Sequence, residues 1–452
     1  MATTTRPERG STTQGTLLRQ RVPIASHAQW KPERGRLDPL EILAAGDAGR
    51  IPELLPLRYG RMMQSPFSFY RGSAAVMAAD LARTPSTDLR VQLSGDAHLA
   101  NFGGLATPER NVSFEINDFD ETLPGPWEWD LKRLAASFVV AMRENGLKDD
   151  VAVDVAIRCA RNYRKAMREF AEMNPLDLWY RRYDAQEFFE GISDADMRKR
   201  ARHRVERIAA KRGSDMVYPK LTHVVAGQAA IKDVPPTIFH PQHSLAPTFR
   251  ADAEQILKNY RETLPDERRV LFDRYRFVDA AIKVVGVGSV GTRCWIVLLM
   301  SEQNDPLFLQ LKESSASVLE PYAGKSVYSH SGQRVVVGMR HVQAVSDVFL
   351  GWTNGPNGEF YVRQLRDAKV KPLVELFDPP MFSIFSRACG RNLARGHARS
   401  GNSRAIAAYL EKDAQFDEAI GRFSVAYADQ AERDHAALQR AVKLGKIDAY
   451  IE

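Results

Sequence analysis

The sequence predicts an α+β protein in which a mostly helical large lobe carries a small antiparallel β lobe. Three observations predict it. Helical apolar periodicity dominates residues 37–275 and returns over 371–452. Between these stretches, residues 276–370 are rich in Val and Ile, alternate as strands and are punctuated by glycine. A length of 452 residues with 44% hydrophobic content is enough for an ordinary core without disulfide or metal staples.

Composition narrows the class further. Cys159, Cys294 and Cys389 are far apart, lack metal-ligand spacing and read as buried free thiols. No apolar run approaches the ~18 residues of a membrane span. Met1 to Gln20 contains no apolar signal core, so a cytoplasmic protein is expected. The net charge of +7 is concentrated in residues 1–36 and in the run Arg198 to Arg204. The first reads as a disordered basic tail and the second as a solvated helix face. No aromatics are interleaved with that run, so nucleic acid is not the expected partner.

The elements follow in order. Asp38-Pro39 caps and opens a helix for Leu40, Ile42 and Leu43. Ser65–Gly72 reads as an aromatic-rich turn, and Ser73–Ala82 as a buried helix ended before Pro85. Leu89–Leu93 alternates as a strand and leads into Gly95-Asp96. Trp127–Met142 is a helix with the stripe Leu131, Leu134, Ala135, Phe138 and Val139. Helical signals continue over 148–272, interrupted at 214–249 by a Pro- and His-containing stretch read as a long loop. Leu307–Lys312 and Phe360–Leu365 are strands, and helices return at Phe382–Arg399 and Ala405–Lys443.

Two short motifs carry the chemistry. Gly95-Asp96-Ala97-His98-Leu99-Ala100-Asn101 and Ile116-Asn117-Asp118-Phe119-Asp120 place carboxylates and a carboxamide on two turns joined by a β-like run. Phosphoryl transfer uses such a set: one Asp orients the attacking hydroxyl, while an Asn and a second Asp hold Mg²⁺ against the nucleotide phosphates. Turn formation alone is the bland alternative for these residue types. His98 reads as an orienting or core histidine.

A third motif lies far downstream. Gly286-Val287-Gly288-Ser289-Val290-Gly291 is G-x-G-x-x-G, and the β-branched residues after it favour a strand over the helix of a dinucleotide fold. Strand, glycine loop, strand and then a lysine on the next strand is the kinase arrangement, and Lys312 fits that place. Such a lysine is expected to pair with a helix Glu. Glu320, just before Pro321, is the candidate, because the better amphipathic stretch Gln333–Val345 carries no Glu.

These residues resemble a family. Gly95-Asp96-x-His98-x-x-Asn101 is similar to the catalytic loop of aminoglycoside phosphotransferases, and Ile116–Asp120 to their metal-binding motif. Trp129-Asp130-Leu131 resembles the helix start whose Asp supports that loop. Arg58–Met62, Ser65–Phe67, Val285–Thr292, Tyr361–Leu365 and Leu393–Gly401 resemble, more specifically, the bacterial domain of unknown function 2252 family. Asn402 departs from it where an Asp is usual. The resemblance implies a two-lobed protein-kinase-like fold but in permuted order, with catalytic loop and metal motif first and glycine loop and lysine last. It implies Asp96 as the hydroxyl-orienting catalytic residue and Lys312 on the α/β phosphates of ATP. Asn101, Asp118 and Asp120 would serve Mg²⁺, the turn Gly286, Gly288, Ser289 and Gly291 would cover the phosphates, and the backbone at Gln364 and Leu365 would meet adenine. His98, Asp130 and Glu320 are supporting residues.

The expected function is an ATP- and Mg²⁺-dependent phosphotransferase acting on a small-molecule hydroxyl or amine. Alternatives are a non-catalytic kinase-like nucleotide-binding protein, an AMP transferase, and an ATP-independent metal-dependent hydrolase using Asp96, His98 and Asp118.

Overall fold

Every residue from Trp127 to Met142 is buried, in a helix that runs Trp127–Glu144. An apolar stripe widened by small alanines lets neighbours pack all round it. Those neighbours are the helices Asp149–Ala171, Pro379–Ser400 and Ala414–Lys443, and together they form the core of a helical body. The computed structural model describes residues 6–450, except 108, 110, 193, 210–212, 226, 242–245, 357, 366–369 and 412. All three cysteines are free and buried. Among the described residues, no helix is long and apolar enough to cross a membrane.

The two acidic motifs leave this body on paired strands. Arg90–Leu93 (β1) ends at the first motif, and Phe102–Ala106 (β2) follows it. Val112–Ile116 (β3) runs back antiparallel to β2 and delivers the second motif, after which Leu123–Pro126 (β4) pairs with β1.

Thr222–Val225 (β5) and Gln228–Ile231 (β6) form a hairpin beside a larger sheet. That sheet contains Ile238–Phe239 (β7), Tyr275–Lys283 (β8), Cys294–Ser301 (β9), Pro306–Ser314 (β10), Gly351–Gly355 (β11) and Gly358–Gln364 (β12). Its six strands are antiparallel, in the order β11-β12-β10-β9-β8-β7. Strand periodicity divides β10: Leu307, Leu309 and Leu311 join the core under the helix Ala246–Thr263, while Phe308, Gln310 and Lys312 point to the other face. The helix Ser331–Val342 comes between β10 and β11 in sequence. It packs on β12 and on Pro379–Ser400, joining the sheet to the helical body.

Some expectations are corrected. The lead-in read as a disordered tail is helical over Arg6–Arg21 and forms a further turn at Ile24–Ala28. Its polar composition conceals a partner nearly 400 residues away. Leu18 is buried, Arg19 pairs with Glu411 and Asp413, and Gly15 lies against the backbone of Ala405, where no side chain fits. Ser65–Gly72 is a helix, Pro66–Gly72, capped by the Ser65 hydroxyl. The expected 214–249 loop contains the helix Gly213–Leu221, the β5–β6 hairpin and β7, while 226 and 242–245 lie outside the described residues. The basic run lies on the helix Ala195–Ala209. Asn402 accepts from the Ala405 amide at 3.0 Å, a cap that an Asp would supply equally well.

Candidate functional site

Gly95 adopts φ +84, and a Cβ there would strike the backbone of Glu121. That close approach, open only to glycine, presses the first acidic turn against the second. The Asn117 amide donates to the Asn101 carbonyl at 2.8 Å, closing the pair. Asp130 supports the first turn from the helix Trp127–Glu144, accepting from the amides of Ser94 at 2.7 Å and Gly95 at 3.1 Å. His397 buttresses it, with Nε2 3.4 Å from Asp130 and Nδ1 2.9 Å from the Tyr163 hydroxyl. Asp130 itself does not line the cleft.

Asp96 is held by Arg133, whose Nε donates to Oδ1 at 2.6 Å. His98 Nε2 lies 3.7 Å from the other carboxylate oxygen. Burial pushes His98 down to about 3, so its imidazole is neutral at pH 7. Asn101 donates its side-chain N–H to the Asp96 carbonyl at 2.9 Å, which fixes the carboxamide in the turn.

The other half comes from the sheet. The loop joining β8 to β9 makes a tight turn at Val287–Ser289, and Gly291 takes φ +89 against Arg50. Arg50 donates to the carbonyls of Gly288 and Val290, and Arg61 to that of Val285. The glycine turn is thus tied to the helical body through its carbonyls. Lys312, 3% exposed, reaches across to the second acidic turn. It pairs with Asp120 and stands 3.7 Å from Asp118. Burial alone would lower its pKa, but Asp118 and Asp120 raise it well above the ordinary value. Burial works in the opposite sense on Asp118, whose carboxyl Lys312 and then Arg363 hold below the usual range.

The two halves enclose a cleft of about 880 Å³, within the usual size of small-molecule sites. Asp96, His98, Asn101, Asp118 and Asp120 line it from the helical body. Gly286, Gly288, Ser289, Lys312, Gln364 and Leu365 line it from the sheet. Gly291 and Glu320 do not.

Three assignments change. Glu320 is not the partner of Lys312; it starts the short helix Glu320–Ala323, and the lysine takes Asp118 and Asp120 instead. Asp120 is not an open metal ligand, because its carboxylate already receives Lys312, the Ser289 hydroxyl at 3.1 Å and the Tyr361 hydroxyl at 2.8 Å. The amides of Gln364 and Leu365 are also committed, to Asp347 at 2.5 Å and to the Phe308 carbonyl at 2.9 Å.

Sequence reasoning missed two arginines. Arg133 lies three residues after Asp130 on the same helix face, so both reach the first turn. A charge at that spacing inside an otherwise apolar stripe was the available signal. Arg334, on Ser331–Val342, donates to the carbonyls of Asp120, Thr122 and Ser315. It occupies the helix on which a glutamate partner for Lys312 would be expected.

Asp118 and the Asn101 carboxamide bring oxygen atoms of the kind a hard cation takes to the cleft, and Asp118 is 34% exposed. Among the described residues no group of three His, Cys, Asp or Glu side chains can hold a metal by itself.

A family model described as "uncharacterized protein conserved in bacteria", domain of unknown function 2252, matches residues 50–441. No curated protein and no solved structure matches the chain.

Proposed function

The chain belongs to that family, and we propose that it is a kinase-like phosphotransferase using ATP and Mg²⁺ on a small-molecule hydroxyl or amine. One observation carries the reading. Lys312 and the glycine turn lie about two hundred residues beyond the acidic motifs, yet they meet Asp118 and Asp120 in one cleft with Asp96. The chain order of glycine hairpin, lysine strand, helix and hinge strand over β8 to β12 is the order of a kinase small lobe, written after the helical lobe. Circular permutation accounts for it, at little physical cost where termini lie at the surface.

In this reading Asp96, oriented by Arg133, accepts the acceptor's hydrogen bond and aligns its lone pair. Asn101 and Asp118 would hold Mg²⁺, which neutralises phosphate charge when bound. Lys312 stands beside them to meet the α/β phosphates. Asp120 serves as the clamp on Lys312. A hydrolase using His98 as a metal ligand is disfavoured, since His98 is buried and Asp96 is engaged by Arg133.

A second reading has a specific observation behind it. The helix that should give Lys312 a glutamate gives Arg334 instead, which favours a nucleotide-binding protein without turnover. Thermal denaturation with ATP and Mg²⁺, on the parent and on Asp118→Asn, tests both. The expected result is metal-dependent stabilisation of the parent that is reduced in the variant. No stabilisation of either protein sinks both readings. Stabilisation without ATP consumption across a broad panel of metabolites selects the second.

A further inference from the structure

Arg71 ends the helix Pro66–Gly72, which packs beneath the glycine turn. The Arg71 carbonyl is what a Cβ on Gly288 would meet, at 3.4 Å. Its side chain lines the cleft together with Asp96 and Asp118. The guanidinium stands 6.0 Å from the centre of the Phe67 ring, and its buried Nε has no hydrogen-bond partner.

The arginines around it are committed elsewhere: Arg133 to Asp96, Arg58 to Asp47, Arg50 to the glycine turn and Arg363 to Asn117 and Gln310. Among the described residues Arg71 makes no ion pair, although Asp96, Glu144 and Asp118 all act on its charge. A half-buried cation that lines a cleft with no ion pair and with its Nε unpartnered is completed by an anionic ligand. Planar guanidinium geometry suits the paired oxygens of a phosphate or a carboxylate.

We propose that Arg71 binds the γ-phosphoryl oxygens of a nucleoside triphosphate and neutralises them during transfer. It lies between the turn that would cover the phosphates and the carboxylate that would orient the acceptor. In the step it serves, the bond from the γ-phosphorus to the β-phosphate oxygen breaks and a bond to the acceptor oxygen or nitrogen forms. The acceptor's proton passes toward Asp96, and the nucleoside diphosphate leaves. This assignment rests on the phosphotransferase reading.

Calorimetric titration of the full chain with Mg-ATP and with Mg-ADP tests it, on the parent, Arg71→Met and Arg71→Lys. The γ-phosphate is the only difference between the ligands. Arg71→Met is expected to lower the affinity for ATP relative to ADP by about tenfold, the size of one charge-assisted pair, with ADP affinity kept. Arg71→Lys is expected to retain part of the preference, and it carries the test alone if the methionine variant does not fold. An unchanged ATP-to-ADP ratio, or equal loss of both ligands, overturns the role of Arg71 while leaving the phosphotransferase reading standing. A parent that binds neither nucleotide overturns both.

Discussion

Asp120 fastens the sheet to the helical body, because one carboxylate receives the lysine of β10, the serine of the glycine turn and a tyrosine of β12. Removing one partner of a fully buried ion pair costs about 3–5 kcal/mol. Asp120 is 27% exposed and Asp118 stays 3.7 Å from Lys312, so Asp120→Ala is expected to cost about 2 kcal/mol. Urea unfolding measures it. Glu320→Ala, outside the cleft, should stay within about 0.5 kcal/mol; equal effects would show that Asp120 is no clamp. His98 gives a pH signature. Its folded-state pKa, near 3, lies below the ordinary 6.5, so the unfolded chain takes the proton first. Its contribution is full above about 6.5 and is lost as pH falls from there toward 3, by at most about 1.4 kcal/mol per pH unit. Stability measured against pH should fall less steeply in His98→Gln than in the parent. Parallel curves would mean that His98 takes up its proton in the folded protein.

At the scale of elements, the helix Ser331–Val342 does the unexpected work. Arg334 is 2% exposed and supplies three carbonyls of the acidic turn and its neighbour with donors. It also faces Glu121, whose carboxyl burial pushes up and Arg334 draws down. Arg334→Met should therefore cost about 2–3 kcal/mol through unsatisfied carbonyls. Without Arg334 the folded pKa of Glu121 rises further, and a raised carboxyl loses stability as pH rises past its unfolded value. The cost should be larger at pH 7 than at pH 4.5. A cost independent of pH would separate Glu121 from Arg334. This helix also marks how far the sequence could be read. Apolar stripes are local, so Trp127–Glu144 and the strand that carries Lys312 were legible from spacing alone. Asp96, Asn101 and Asp118 stood out because two carboxylates and a carboxamide fall on two neighbouring turns, and all three line one cleft. The N-terminal helix was not, since its polar stretch is ordered by Ala405, Glu411 and Asp413. Arg334 was not legible for a related reason: a kinase-like lysine calls for a charge of the opposite sign on this helix, and only the folded turn reveals carbonyls needing a donor.

At the scale of the molecule, the candidate site is the cleft where the two bodies meet. The helical body supplies Asp96, Asn101 and Asp118; the sheet supplies the glycine turn and Lys312. The contacts that cross between them at the cleft include Lys312 to the acidic turn, Ser289 and Tyr361 to Asp120, Arg363 to Asn117, and Arg50 and Arg61 to the glycine-turn carbonyls. Each joins segments that are distant in sequence, so neither body can present the site alone. A ligand held by both halves must slow the opening of both, because local opening of either one releases it. Hydrogen exchange of the full chain with and without Mg-ATP reads this directly. Protection is expected at once in 95–101, 116–121 and 284–293, and should be weaker in Asp118→Asn. The exposed helix Ala195–Ala209 serves as the unaffected reference. Protection confined to 284–293 would mean that the nucleotide engages the sheet without the acidic turns, and the single cleft assembled from two distant segments would then fail as the site.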